Sequence, residues 1–259
     1  MKKKNLLTLA IGSLALSFVT QGAWAGCKDV DYDTLQSVAN DVVDANSSKT
    51  AATGGGFNLP MWVTVVDETG KVCHVVNTNP GGKDNNGRSG QSWLGSRVIS
   101  AQKANTANAF SLDGNAISTA NLYGLVQPGG SLYGLQHSNP VDASKAYLGN
   151  PNTYGTKGDP LKNKRIGGVN VFGGGLALYK GGIKVGAIGV SGDTSCTDHT
   201  VAWRIREVLG LSGTPGGLSG GPKGDELVLD TSGDTTNTVQ HPTCPNPPAA
   251  SAANGVITE

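Results

Sequence analysis

The sequence predicts an α+β fold, an antiparallel sheet of about five strands flanked by helices, on three observations. Apolar residues recur at helical spacing near residues 31–45, 96–110 and 195–209, and β-favouring runs lie between these segments without strict alternation. Two pairs of those runs are joined by tight-turn sequences, Asp67-Glu68-Thr69-Gly70 and Gly181-Gly182, which make the paired strands antiparallel. Composition agrees, with 37% apolar residues, 15% charged residues and 39 glycines that follow no three-residue period. Neither wholesale disorder nor a collagen-like chain fits these values. A formal net charge of +1 supplies no electrostatic case for nucleic acid, which is not expected as a partner.

The first 25 residues stand apart from the fold. Lys2, Lys3 and Lys4 precede an apolar run from Leu6 to Val19, and Ala23-Trp24-Ala25 places small residues at the cleavage positions of a secretory signal peptide. The run is shorter than a membrane span requires, so the expectation is a periplasmic or secreted chain, cut after Ala25 and lacking a membrane helix. Export makes the even, widely spaced set Cys27, Cys73, Cys196 and Cys244 read as disulfides. Zinc or covalent heme chemistry needs C-x-x-C or C-x-x-C-H, and both are absent. Of the three pairings, Cys196–Cys244 is favoured because an apolar-poor tail needs a tether beside the last helix. Cys27–Cys73 then joins the first helix to the hairpin.

The elements follow in order. Leu35, Val38, Ala39 and Val42 define a helix over Asp31–Ala45, with Asp33 as N-cap and Gln36 three positions on. Met61–Val66 and Lys71–Asn77 form a hairpin about the Asp67–Gly70 turn, and a polar loop over Thr78–Gly90 follows. An alanine-rich helix spans Ser96–Phe110, its small side chains allowing close approach to a sheet. Residues 112–164 show no sustained period and read as a long excursion with short helical pieces. Val169–Phe172, Gly175–Tyr179 and Ile183–Val190 are β-like. Ser195-x-x-Asp198 matches a capping box for a last helix whose core stripe is Val201, Ile205, Val208 and Leu209. The organisation is therefore a signal peptide over 1–25, one domain over 26–211 with an irregular insertion at 128–165, and a Gly/Pro/Ser/Thr-rich tail over 212–259.

Chemistry-bearing patterns are sparse. The glycine groups Gly173-Gly174-Gly175 and Gly186-x-x-Gly189 lack phosphate-loop spacing. Gly189-Val190-Ser191-Gly192 carries Asp193 where a nucleophile elbow needs glycine. Ser191–Thr194 reads instead as a strand-to-helix turn whose amides are free to receive an anionic group. In the strand before it, Gly186, Ile188 and Val190 share one face, where glycine would let the alanine-rich helix lie close. His74, His137, His199 and His241 show no metal-ligand spacing, although a single imidazole beside an apolar slot suffices for heme.

Three segments together resemble the heme-binding GlcG/HbpS family. SRVISAQKANTANAF over Ser96–Phe110 is similar to its K-A-x-T-A helix, GGLALYKGGIKVGAIGVSGDTSCTDHTVA over 174–202 to its G-A-(I/L)-G-V-S-G-x-T signature, and MWVTVVDETGKV over Met61–Val72 to its first hairpin. This chain has Ala177 where the family has proline, a longer excursion and an added tail. The resemblance implies a profilin-like five-stranded antiparallel sheet, frequent oligomerisation, and heme or another tetrapyrrole as ligand, in sensing, storage or degradation. No axial ligand transfers with it.

An exported heme-binding protein, forming a homo-oligomer, is accordingly the first functional reading. Phe110, Tyr123, Tyr133, Tyr147 and Trp93 are expected to supply an apolar slot, Arg97 and Lys103 to meet the propionates, and His137, then His74, to ligate the iron. The alternatives are a cofactor-free interaction module and, further off, a small-molecule enzyme using Asp67 or Asp198 as base.

Overall fold

A computed structural model describes residues 26–48, 55–78, 93–250 and 255–258. The signal-like segment 1–25 and most of the 78–90 loop lie outside the described residues. Strands β1 (Trp62–Asp67), β2 (Val72–Asn77), β3 (Gly175–Lys180) and β4 (Ile183–Ser191) form one antiparallel sheet in the order β2-β1-β4-β3. Helices α1 (Tyr32–Ser48) and α5 (Ser195–Val208) lie with one face, and α2 (Leu94–Phe110) with the other. Between α2 and β3 come two single-turn helices, α3 (Leu135–Ser138) and α4 (Ala143–Ala146). Beyond α5, β5 (Leu227–Leu229) and β6 (Val256–Thr258) make a separate parallel pair.

The sheet has four strands where the sequence suggested five. Val169–Phe172 carries a β-like pattern but forms no strand, because side chains of α2 take its neighbourhood's backbone groups. Asn105 Nδ2 donates to the Gly168 carbonyl (2.8 Å) and Thr106 Oγ1 accepts the Asn170 amide (3.0 Å). The two turns form as expected, with Gly70 at φ 76° and Gly181 and Gly182 at φ 59° and 81°. Both helix caps lie earlier than expected, by two residues in α1 and by one in α5. Asp31, not Asp33, accepts the Thr34 amide, and Thr194, not Ser195, accepts the Thr197 amide.

Alternation in β1 sends Val63 and Val65 toward α1 and α5, and Trp62, Thr64 and Val66 toward α2. The first face closes over Leu35, Ala39, Leu176, Leu178, Ile188, Val201, Trp203 and Ile205. The second is narrow. A Cβ on Gly189 would lie 1.9 Å from the Ser100 carbonyl oxygen and 2.5 Å from the Ala104 amide nitrogen, so α2 sits directly on the strand backbone. Gly186, which the sequence placed under this helix, instead meets the Val66 carbonyl of β1 at φ 145°. Gly186 shares the face of Ile188 and Val190, and that face packs toward α1 and α5, whereas Ala187 and Gly189 face α2.

Two disulfides, Cys27–Cys73 and Cys196–Cys244, tie α1's approach to the hairpin and the tail to α5, the pairing favoured from sequence. The tail is packed rather than loose. Leu227, Leu229 and Val256 are buried against Ala120 and Cys196, and Asp225 holds Arg206 through two bonds of 2.5 and 3.1 Å.

Candidate functional site

The N-termini of α2 and α5 converge with the segment around Phe57 to form a solvent-open pocket of about 390 Å3, lined by Phe57, Leu59, Trp93, Ser96, Gly192, Asp193 and Thr194. Its position follows from the strand-to-helix turn after β4. Gly192, at φ 156°, lies so close to the Pro60 carbonyl and Met61 that a Cβ there would clash. Asp193 then fixes the opposite wall: its carboxylate accepts the Phe57 amide (2.9 Å), the Leu59 amide (3.1 Å) and the Thr194 amide (2.6 Å). Trp93 occupies the cap position of α2, which no side chain caps. Phe57 and Trp93 remain 54% and 65% exposed, an unusual placement for large aromatic rings.

Two amides of the turn that the sequence left open to an anion, those of Asp193 and Thr194, are taken within the chain. Asp193 donates its amide to Asp198 Oδ1 (3.0 Å), and the Thr194 amide is bound by Asp193 itself. Asp198 lies beneath the turn, fully buried, with Lys103 Nζ at 2.8 Å from Oδ2. Burial pushes its carboxyl up to about 6, with Lys103 pulling the other way. Lys103 also donates to the Val190 carbonyl (3.0 Å).

Arg97 is likewise interior. It donates Nε to Asp159 Oδ2 (2.9 Å) and a terminal nitrogen to Ala146 O (2.9 Å), pairs its other terminal nitrogen with Asp159 Oδ1, and stacks 3.6 Å above the Tyr154 ring. Both cations assigned to propionates thus sit in buried ion pairs. Asp67 organises the β1–β2 turn, accepting the Thr69 and Lys71 amides at 2.9 Å each. Burial raises its carboxyl, but the bonds from Thr69 and Lys71 outweigh that and leave it below the usual range.

The aromatic residues singled out from sequence do not form one slot. Trp93 and Phe110 mark opposite ends of α2, about 25 Å apart at 1.5 Å per residue. At the Phe110 end, Leu122, Val126, Val171 and Leu135 form a small cluster, and His137 projects from α3 with an exposed side chain beside exposed Tyr133. His74 is half-buried, edge-on to Tyr32 at 6.2 Å, and burial, then Lys162, holds it below its usual pKa. His199 is fully buried with no partner on either ring nitrogen, and burial keeps it neutral. The Phe57 and Leu59 wall escaped sequence reading, because these residues follow a small-residue stretch with no period.

An aromatic-walled pocket set at the edge of a helix-flanked antiparallel sheet marks the chain as an α+β module with an open cleft. The chain belongs to the HbpS-like family, described as haem degrading protein HbpS-like, whose model matches residues 35–206. No curated relative matches it. Similar solved structures include Klebsiella pneumoniae protein ORFY, 22% identical over 70% of this chain and 90% of that one, with a TM-score of 0.43. Others are PduOC in its heme complex, 23% identical over 68% and 88% with a TM-score of 0.43, and a double mutant of Streptomyces reticuli HbpS, 16% identical over 78% and 99% with a TM-score of 0.43.

Proposed function

We propose that the protein binds heme or a related tetrapyrrole in the pocket between the N-termini of α2 and α5. The observation that carries this reading is the pair of exposed rings, Phe57 and Trp93, facing a cavity of about 390 Å3 in a chain of the HbpS-like family. That volume falls within the roughly 300–1,000 Å3 of small-molecule sites, and the apolar walls suit a planar macrocycle. The carboxylate of Asp193 in the wall would disfavour anionic propionates on that side. The lining contains no imidazole, so its side chains would hold the ring through its apolar faces. Bound heme would supply redox-active iron; the residues here hold and orient the ring, a step that sensing, storage and degradation all require.

A second reading places the ligand at the other end of α2. There His137 is the one exposed histidine, four residues from exposed Tyr133 and on the same short helix as Leu135, which packs in the cluster of Phe110. Hemin titration followed by the Soret band separates these readings. In the pocket reading, Trp93→Ala weakens binding at least tenfold, about 1.4 kcal/mol, while His137→Ala leaves affinity and spectrum unchanged. The reverse result moves the site to α3, and no Soret band at all supports a cofactor-free module.

The proposal includes export, supported by the 1–25 leader pattern and the two disulfides. No described helix is long and apolar enough to cross a membrane. It also includes a homo-oligomer, favoured by exposed Leu112, Tyr133 and Tyr147 outside the pocket. Light scattering on the purified chain tests that part.

A further inference from the structure

Around the tail's tether, a second group of chemistry-bearing side chains lies apart from the pocket lining. Cys196, Cys244 and His241 each bring a ligand atom within 4.8 Å of the others, the one such group among the described residues. Cys196 stands on the first turn of α5, where the helix axis fixes its direction, and Cys244 and His241 come from the tail. Cys196 is buried, His241 is 1% exposed, and Cys244 is half-buried and gives the group an opening to solvent.

The surroundings are those of a thiolate–imidazole centre. Cys244 Sγ accepts the Cys196 amide at 3.2 Å, with Ser195 Oγ at 3.6 Å, so two donors already face the sulfur on which negative charge would gather. His241 Nε2 lies 3.2 Å from Ser195 Oγ, and Nδ1 lies 2.8 Å from the Pro242 carbonyl and 4.0 Å from Cys196 Sγ. The Pro242 carbonyl accepts the Nδ1 proton, which leaves the Nε2 lone pair, now facing the Gly173 amide at 3.4 Å and Ser195 Oγ, to turn to a metal; the Nδ1–H bond to Pro242 is the outer bond that fixes a ligating imidazole. Tyr123 packs 5.2 Å from the ring and restricts its rotation. Two sulfurs and one imidazole nitrogen select a soft or borderline d10 ion, and three protein ligands leave a fourth, open position of the kind zinc fills with water.

We propose that reduction of Cys196–Cys244 converts this group into a Cys2His site for a divalent d10 ion such as Zn2+. A dithiol delivers two electrons and two protons to the disulfide, giving two thiols, and is itself oxidised to its cyclic disulfide. Zinc then displaces the two thiol protons and binds both sulfurs and His241. The sulfurs need to part to about 3.8 Å, from Zn–S bonds of about 2.3 Å at tetrahedral angles, a displacement within reach of side-chain rotation.

The test uses the full chain, reduced with dithiothreitol and desalted without oxygen, then dialysed against Zn2+ or, for its thiolate charge-transfer band, Cd2+. One ion per reduced chain and none per oxidised chain is expected. His241→Ala should lower the affinity at least tenfold while the reduced protein still shows four titratable thiols and wild-type circular dichroism. The Cys196→Ser, Cys244→Ser double variant, which keeps Cys27–Cys73, should lose the band after the same treatment. No binding by reduced wild-type protein, equal binding by His241→Ala, or equal binding by the double variant would each overturn the assignment.

Discussion

The two faces of the sheet are built on different principles. Toward α1 and α5, aliphatic side chains such as Leu176, Leu178, Ile188 and Val190 fill the space, and stability comes from apolar burial with no charged group required. Toward α2, glycine and alanine bring backbone against backbone, and Arg97–Asp159 and Lys103–Asp198 place full charges in the interior. The first face tolerates changes of shape, because neighbouring side chains can repack. At Gly189 the second has backbone on both sides and nothing soft to move, which fixes the seat of α2 on β4.

The contrast breaks most sharply at adjacent residues of β4. Gly189→Val should cost more than about 5 kcal/mol and leave little folded protein, because the new Cβ falls on the Ser100 carbonyl and Ala104 amide of α2. Near-normal urea unfolding of that variant would show that α2 can lift away. Asp159→Ala comes next, at about 3–5 kcal/mol, since it leaves the Arg97 guanidinium buried without its carboxylate. A loss below about 1 kcal/mol in the same assay would mean that water reaches Arg97.

Asp198 sharpens the comparison through pH. Its folded value, about 6, lies above the ordinary carboxyl value near 3.9, so the native state binds the proton more tightly than the unfolded chain does. The stabilisation from this group is complete below about pH 4 and is lost as pH rises through about 6, by at most about 3 kcal/mol. Asp198→Asn should flatten that part of the stability–pH curve, and an unchanged slope would place its proton elsewhere. The smallest effect belongs to the opposite face: Ile188→Val should cost about 0.5–1.5 kcal/mol, the ordinary value for one methylene in an aliphatic core.

These differences also explain what was legible in the sequence. Helices, hairpins and the disulfide pairing follow from short-range signals: apolar spacing, turn glycines, and a tail with little to bury. Val169–Phe172 failed as a strand because an apolar run does not specify its backbone partner, and Asn105 and Thr106 of α2 claimed that role. Alternation grouped Gly186 with Ile188 and Val190 correctly but does not say which face meets α2, and it is the face of Ala187 and Gly189 that does. Arg97 and Lys103 read as cations available to propionates because their carboxylates lie 62 and 95 residues away along the chain, beyond any local pattern. The pocket was half visible: Trp93 stood out, whereas Phe57 acquires its role only through Asp193, 136 residues on.

The packing of the tail against α5 sets a timetable for folding. Arg206 is fully buried and finds its carboxylate, Asp225, 19 residues later, and Cys196 waits 48 residues for Cys244. At about 5–20 residues per second of synthesis, α5 emerges several seconds before the residues that neutralise and tether it. Through that interval the helix carries an unmatched buried-site charge and a free thiol, so it cannot settle permanently on the sheet. The last helix therefore completes its packing only once the tail is available to cover it.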